Sequence, residues 1–235
     1  MRILPTLLTC LMLLGYQSAL ADEAKPYPDP EKFEKHIEKF EKADVEKMPP
    51  EGAVLVVGSS SIRKWHGEIA KDLEPLTIVG RGFGGSNTND LLHYADRIVF
   101  KYKPRAIVIY EGDNDVAQGV GHDTIIATYT LLLDAIKKNL PDCRVYVLAV
   151  KPSPRRWDMW PTMRRVNASL SALASDRSAV TYIDIASPML GKDGKPKAEL
   201  YVKDRLHMSR AGYDVWRDAI RPMLVEAERE HEPED

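Results

Sequence analysis

Four short segments of the chain contain residue types that could carry out nucleophilic catalysis. They are a serine triplet at residues 59–61, a glycine-rich segment at 80–85, a segment of acids and an amide at 111–115, and an Asp-x-x-His segment at 204–207. Acyl transfer needs a nucleophile, a base, an acid that orients the base, and hydrogen-bond donors for an oxyanion. The four segments together supply this set, although each of them alone is weak evidence.

The serine triplet follows Gly58 and precedes a segment of helical character. A serine at such a bend would present its hydroxyl beside a helix N-terminus, where negative charge is stabilised. Serine is also a preferred helix N-cap, and capping explains the triplet equally well. The segment lacks the Gly-x-Ser-x-Gly elbow of α/β-hydrolases, because Ile62 occupies the position of the second glycine.

The glycine-rich segment at residues 80–85 matches the G-x-G-x-x-G pattern of dinucleotide-binding proteins. Its position argues against that function, because it follows the second predicted strand rather than the first. The acids after the next strand, Glu111 and Asp113, also differ from the single acid that the dinucleotide pattern requires. Because glycine lets a backbone approach a ligand closely, these N–H groups could bind an oxyanion as readily as a pyrophosphate.

The last two segments offer carboxylates, an amide and an imidazole. The three acids of residues 111–115 could bind calcium or magnesium through oxygen ligands, although turn chemistry explains them without a ligand. Asn114 could instead donate its side-chain N–H to a developing negative charge. Asp204 stands three residues before His207. A carboxylate at this spacing can reach the imidazole and determine its tautomer, as a hydrolytic base requires.

Alternating strands and helices are expected to bring these segments together. Nearly continuous apolar runs predict buried strands at residues 53–57, 76–79, 105–110, 144–150 and 180–185. Helical segments are predicted at residues 61–73, 88–102, 124–140, 157–176 and about 209–229. The alternation indicates an α/β fold, a three-layer α/β/α sandwich around a five-stranded parallel sheet. Ligands bind such sheets beyond the carboxyl ends of the strands, where all four segments lie.

The N-terminus is expected to be a secretory signal peptide over residues 1–21. Arg2 supplies the positive charge, an apolar run follows it, and Ala19-Leu20-Ala21 offers a cleavage site. An uncleaved membrane anchor is the alternative. Cleavage after Ala21 would place the protein in the periplasm or outside the cell, with no stable membrane span.

Residues 22–50 form a charged lead-in before the main domain. Phe33, Ile37 and Phe40 predict one apolar face on a helix that packs across the domain surface, with a partner-binding helix as the alternative. The domain itself is expected at residues 51–230 and an acidic tail at residues 231–235.

The composition excludes several classes of protein. The 33 Lys and Arg residues against 35 Asp and Glu residues give a net charge of −2, which argues against nucleic-acid binding. The 29% of charged residues argues against a polytopic membrane protein. Two cysteines cannot form a disulfide framework or a four-thiolate zinc site, and the six histidines show no metal-ligand spacing.

In order and spacing, the four segments resemble the sequence blocks of the SGNH (GDSL-type) hydrolases. The resemblance covers residues 54–213 and makes Ser60 the nucleophile, with Asp204 and His207 completing the triad. It makes Gly85 and Asn114 the oxyanion donors, together with the N–H of Ser60. The usual Gly-Asp-Ser of the first block is Gly58-Ser59-Ser60 here. The family implies a flavodoxin-like sheet and an esterase or lipase activity that needs no cofactor.

The resulting hypothesis is a secreted or periplasmic serine esterase that hydrolyses short-chain or carbohydrate-linked acyl esters. A lysophospholipase-like or thioesterase-like acylhydrolase and a non-catalytic carbohydrate-binding relative are the alternatives. Arg81, Arg155 and Trp157 are candidate substrate-binding residues, because a tryptophan near the crevice could stack on a sugar and an arginine could bind an anionic group. Burial of Trp157, solvation of Arg155 and pairing of Arg81 with a neighbouring acid would explain these residues without a ligand.

Overall fold

Five parallel strands form one sheet in the computed structural model, which describes residues 24–232. The expected signal peptide and the end of the acidic tail therefore lie outside the described residues. The strand order is β2-β1-β3-β4-β5, where the strands are β1 (Val54–Gly58), β2 (Ile78–Gly82), β3 (Ala106–Tyr110), β4 (Arg144–Leu148) and β5 (Val180–Ile183). This is the flavodoxin-like order, and it confirms the predicted fold class.

Helices connect the strands and continue to the end of the described chain. They are α1 (Glu34–Glu46), α2 (Ser60–Trp65), α3 (Ile69–Asp72), α4 (Thr88–His93), α5 (Ala95–Ile98), α6 (Asp113–Ala117), α7 (His122–Asn139), α8 (Trp160–Ser175) and α9 (Arg210–Glu228). Short 3₁₀ turns lie at Pro30–Phe33, Phe100–Tyr102, Pro154–Met159, Ser187–Met189, Ala198–Leu200 and Arg229–His231.

The two sides of β2 show how the helices divide between the faces of the sheet. A side-chain carbon added at Gly80 or Gly82 would meet residues of the α2 region, whereas Arg81 between them bonds to Asp44 of α1. Neighbouring residues of a strand point to opposite faces, so α1 and α2 cover opposite sides. α9 lies on the α2 side, where Trp216 packs against Trp65. Contacts from α1 through α5, α4 and α7 to α8 form the other layer.

Several predicted boundaries were wrong. The second strand is Ile78–Gly82 rather than residues 76–79, because Gly80 and Gly82 pair with β1 and let α2 approach the sheet. The glycine-rich segment is thus half strand. The predicted helices at 61–73 and 88–102 are each divided into shorter pieces. The acids after β3 begin the helix α6, where a turn was expected.

The charged lead-in packs against the sheet layer as a helix. Phe33 and Ile37 are buried and Phe40 is partly buried, as the apolar stripe predicts. Two ion-pair groups attach α1 to the domain: Arg97 binds Glu34 and Glu41, and Arg81 binds Asp44. Residues before α1 reach further, since Tyr27 donates a hydrogen bond to Asp115 in α6.

Replacing Gly58 by alanine should destabilise the fold, because Gly58 has φ +146° and a side-chain carbon there would clash with the carbonyl oxygen of Tyr110. We expect the free energy of unfolding to fall by about 2–4 kcal/mol, from backbone strain and overpacking together. Urea denaturation followed by circular dichroism measures the change.

Gly67→Ala is the matched control, because nothing lies within 4 Å of a side-chain carbon at that position. Its effect should stay within about 0.5 kcal/mol. Equal stability of the two variants would show that the backbone at position 58 can move away from the Tyr110 carbonyl and accept a side chain.

Candidate active site

Ser60 is placed by the junction of β1 and α2. The strand ends at Gly58 and the helix begins at Ser60 itself. Ser59 and Ser61 are each only 2% exposed, whereas Ser60 is partly exposed. Of the three serines, Ser60 is therefore the one whose hydroxyl can meet a substrate.

Ser60, His207 and Asp204 form a hydrogen-bonded series. The Nε2 atom of His207 lies 3.0 Å from the Oγ atom of Ser60, and its Nδ1 atom lies 2.6 Å from Oδ2 of Asp204. Ser60 and His207 are 147 positions apart in sequence, and the parallel sheet brings them together. A neutral imidazole whose Nδ1–H donates a hydrogen bond to a carboxylate has an unprotonated Nε2, which can accept a proton from a hydroxyl.

Asp204 is bound from three directions, although its side chain remains partly exposed. Its Oδ1 atom accepts the backbone N–H groups of Leu206 and His207, both at 2.9 Å. Partial burial raises the pKa of Asp204, but the hydrogen bonds from the His207 ring and these two N–H groups outweigh it and hold that pKa well below its usual value. The carboxylate therefore stays ionised and can stabilise an imidazolium.

Two of the three predicted oxyanion donors are backbone groups. The N–H of Ser60 belongs to the first turn of α2, where helix N–H groups have no partner within the helix. Gly85 is exposed, with φ +93°, and the described part of the chain offers its N–H no acceptor. Both groups are thus available for a ligand.

The side chain of Asn114, the third predicted donor, is held at both ends. Its Nδ2 atom donates to the carbonyl oxygen of Ser86 at 2.7 Å, and its Oδ1 atom accepts from Arg156 at 3.0 Å. An amide nitrogen carries two protons, so one remains for an oxyanion. Because Arg156 can only donate, the amide atom that faces Arg156 is the oxygen, and the atom that faces Ser86 is the nitrogen.

Arg156 is the residue that the sequence analysis missed, since it singled out the neighbouring Arg155. Arg156 donates to both the carbonyl and Oδ1 of Asp113, and Lys151 donates to Oδ2 of Asp113 at 2.6 Å. Lys151 is only 1% exposed. The available signal was Lys151, which directly follows the predicted strand at residues 144–150 and lies five residues before Arg156. A lysine buried at that position needs a buried acid as its partner.

Asp113 is ionised despite its burial. Loss of solvent raises the pKa of a carboxylic acid, but the adjacent charges of Lys151 and Arg156 hold the pKa of Asp113 at about 2. The ionised Asp113 therefore binds Lys151 and Arg156, and Arg156 in turn binds the Asn114 amide. Asp113 serves protein contacts rather than a metal, and no group of acids, cysteines and histidines in residues 24–232 has metal-binding geometry.

The other acids of the segment face inward as well. Asp115 accepts hydrogen bonds from Thr88, Tyr27 and Gly112. Glu111 accepts one from the Ser86 hydroxyl at 2.6 Å, and its second carboxyl oxygen has no partner within residues 24–232. Burial, with repulsion from Asp115, raises the pKa of Glu111 well above its ordinary value. The hydrogen bond from Ser86 to Glu111 supports the loop that contains Gly85.

The candidate substrate-binding residues lie in different places. Arg81 is turned away from the crevice, because its guanidinium binds Asp44 and Tyr102 behind the sheet edge, which corrects the prediction for this residue. Arg155 is exposed, and its backbone N–H donates to Arg205 beside the triad at 3.0 Å. Trp157 is half-buried and stacks on Trp160.

No helix within residues 24–232 combines the length and the apolar character needed to cross a bilayer. Cys143 is buried in the described part of the chain.

The chain is similar to known proteins in sequence and in fold. The family model described as the GDSL-like lipase/acylhydrolase family matches residues 53–215. No curated protein matches the chain. Three solved structures, each under 25% identical to the chain, share its fold. A GDSL-like lipase from Bacteroides thetaiotaomicron VPI-5482 has a TM-score of 0.71 at 22% identity, over 81% of this chain and 98% of that chain.

The second is a protein from Streptococcus pneumonia, provisionally described as a platelet activating factor. Its TM-score is 0.74 at 20% identity, over 83% of this chain and 93% of that chain. The third is an acetylxylan esterase from Geobacillus stearothermophilus, with a TM-score of 0.61 at 16% identity, over 74% of this chain and 95% of that chain.

Replacing Glu111 by glutamine should stabilise the protein at alkaline pH. The raised pKa of Glu111 means that the folded state holds a proton that the unfolded state releases above the ordinary glutamate pKa. Wild-type stability therefore falls as the pH rises past that value. Glutamine keeps a neutral hydrogen-bonding group and has no proton to lose.

Thermal unfolding at pH 4 and pH 8 measures the difference. We expect the melting temperature of Glu111→Gln to exceed that of the wild type at pH 8, with the gap narrowing at pH 4. Glu68→Gln, which changes an exposed acid, is the control and should show no such gap. A variant less stable than the wild type at pH 8 would contradict the raised pKa of Glu111.

Proposed function

The chain belongs to the GDSL-like lipase/acylhydrolase family and is a carboxylic ester hydrolase, and on that premise we propose that it cleaves small acyl esters through Ser60, His207 and Asp204. The observation that carries this proposal is the hydrogen-bonded series from the Ser60 hydroxyl through His207 to Asp204. The family match agrees with the resemblance drawn from the sequence blocks.

In the proposed acylation step, the Ser60 oxygen attacks the ester carbonyl while Nε2 of His207 takes the hydroxyl proton. The carbonyl electrons move to oxygen, and the N–H groups of Ser60 and Gly85 and the Asn114 amide stabilise that charge. When the intermediate collapses, the bond to the leaving alcohol breaks and His207 returns the proton to it. The product is an acyl ester on Ser60.

Deacylation repeats this sequence with water. His207 accepts a proton from water as the water oxygen attacks the acyl carbonyl, and the same donors stabilise the second oxyanion. Collapse releases the carboxylic acid and restores the Ser60 hydroxyl with the proton from His207. Asp204 stays ionised throughout, because its hydrogen bonds keep its pKa low.

The substrate proposed is a short-chain or carbohydrate-linked acyl ester, with acetyl esters tested first. A half-buried Trp157 close to the triad and the shared fold with an acetylxylan esterase support this choice. We also propose that residues 1–21 direct the protein out of the cytoplasm. N-terminal sequencing of the purified protein tests this, with Asp22 as the expected first residue.

Ser60→Ala and His207→Ala should each lower kcat for 4-nitrophenyl acetate by about 10⁴-fold or more, because both variants remove a member of a unit that acts together. Ser59→Ala and Ser61→Ala are the controls, because both serines are buried. A fluorophosphonate probe should modify the peptide that contains these serines at Ser60 alone. Wild-type activity in Ser60→Ala, or an adduct on Ser59 or Ser61, would overturn the assignment.

Arg156→Met should lower kcat by about 10- to 100-fold with little change in KM, because a misoriented Asn114 loses part of its oxyanion contact. Arg156 acts as a positioning residue, so the loss should appear in the transition state rather than in ground-state binding. Steady-state kinetics with 4-nitrophenyl acetate separates the two parameters. Arg156→Lys should recover part of the activity by keeping the charge beside Asp113.

Arg164→Met is the matched control, since Arg164 is an exposed arginine of α8 that makes no ion pair within residues 24–232. It should retain wild-type kcat. If Arg156→Met raised KM and left kcat unchanged, Arg156 would be a substrate contact and not a support for Asn114.

A further inference from the structure

A cleft with a volume of about 360 Å³ is lined on one side by Arg205, which lies between Asp204 and His207 in the sequence. Its lining includes Pro154, Trp157, Asp158, Lys195 and Arg205. Arg205 belongs to the segment between Asp204 and His207, and its carbonyl oxygen accepts the N–H of Arg155 at 3.0 Å. The cleft therefore reaches the segment that carries Asp204 and His207, and its volume falls within the range of small-molecule sites.

One wall of the cleft is a rigid aromatic surface. Trp157 stacks on Trp160 with ring centroids 6.1 Å apart and an angle of 18° between the planes. Trp160 is itself 8% exposed, so the pair is anchored in the protein. A supported indole can stack on the apolar face of a sugar ring without ordering a flexible side chain.

The charges of the cleft are unbalanced. Lys195 and Arg205 line it and make no ion pair within residues 24–232, while Asp158 is the one acid among the lining residues in that range. Arg155, which is bonded to Arg205 through its backbone, is exposed and also lacks an ion pair there. The whole chain has a net charge of −2, so this positive excess is local. Local positive charge attracts an anionic ligand.

We propose that this cleft binds the alcohol part of the ester and that this part is a sugar that carries a carboxylate. The proposal rests on the proposed esterase function and adds its substrate class. Trp157 stacks on the ring, and the planar guanidinium of Arg205 and the ammonium of Lys195 bind the carboxylate. Asp158 accepts a hydrogen bond from a sugar hydroxyl. The combination of an aromatic wall and two cations favours an acidic sugar over a neutral one.

A pair of substrates that differ only in charge tests the proposal: the O-acetylated methyl glycosides of glucuronic acid and of glucose. We expect wild-type kcat/KM to be about tenfold or more higher for the acidic sugar, since hydrogen bonds to a charged group contribute that much. In the double variant Lys195→Gln, Arg205→Gln this ratio should fall to near one. A distorted triad would slow the hydrolysis of both substrates equally. The ratio of their kcat/KM values therefore reports only the effect of the substrate's charge.

Lys203→Gln is the matched control, because Lys203 is an exposed lysine of the same loop that does not line the cleft. Its substrate ratio should equal that of the wild type. The single variant Lys195→Gln, which is further from the triad in sequence, should show an intermediate ratio and serves if the double variant folds poorly.

The outcomes separate failure of the subsite from failure of the esterase function. If the wild type hydrolyses 4-nitrophenyl acetate but treats both sugars equally, the subsite proposal is overturned and the esterase function stands. If it hydrolyses none of the three esters, the esterase function itself fails. A preference for lysophosphatidylcholine over both sugars, or a ratio retained by the double variant, would also overturn the assignment of an acidic sugar.

Discussion

The site depends on how the carboxyl end of β1 is bonded to the two strands beside it, β2 and β3. The carbonyl of Gly58 accepts the N–H of Phe83 at 2.9 Å, and the N–H of Ser59 donates to the carbonyl of Tyr110 at 3.3 Å. These two bonds tie the segment before Ser60 to the ends of β2 and β3 at once. The loops that contain the three proposed oxyanion donors are therefore positioned by backbone bonds, which do not depend on side-chain rotamers. The close approach also explains why position 58 must be glycine.

Charged side chains determine the orientation of the Asn114 amide, which backbone hydrogen bonds cannot do. An asparagine side chain can turn its oxygen or its nitrogen toward a ligand, and only the nitrogen stabilises an oxyanion. Arg156 removes this ambiguity by donating to the Asn114 oxygen, and Asp113 and Lys151 hold Arg156 in turn. Buried charges are costly unless they are paired, and here each charge has an opposite neighbour. The same loop thus contributes both to the fold and to the proposed chemistry.

The sequence predicted the fold class because apolar strands and amphipathic helices alternate clearly, and because strand ends of a parallel sheet share one edge. It also identified the residues that the structure brings together around Ser60. Arg81 was misplaced because an arginine beside glycines looks the same whether it faces a ligand or a helix. Its real partner, Asp44, lies 37 positions away in α1, and a pairing at that distance leaves no local pattern. Arg156 was missed although Lys151 offered a local signal, since the role of Arg156 depends on the buried Asp113 of another loop.

The charged lead-in is involved more closely with the site than its composition indicates. Phe33 packs edge-to-face on Phe83, at 5.2 Å between ring centroids, and Phe83 is two residues before Gly85. Tyr27 bonds to Asp115, which also accepts the N–H groups of Thr88 and Gly112. Phe33 and Tyr27 therefore support the loops after β2 and β3, and both residues precede the segment that matches the family model. Residues 22–50, whose sequence predicts only a surface helix, thus help to fix the two loops that contain Gly85 and Asn114. Exposed loops need packing behind them to keep a fixed geometry.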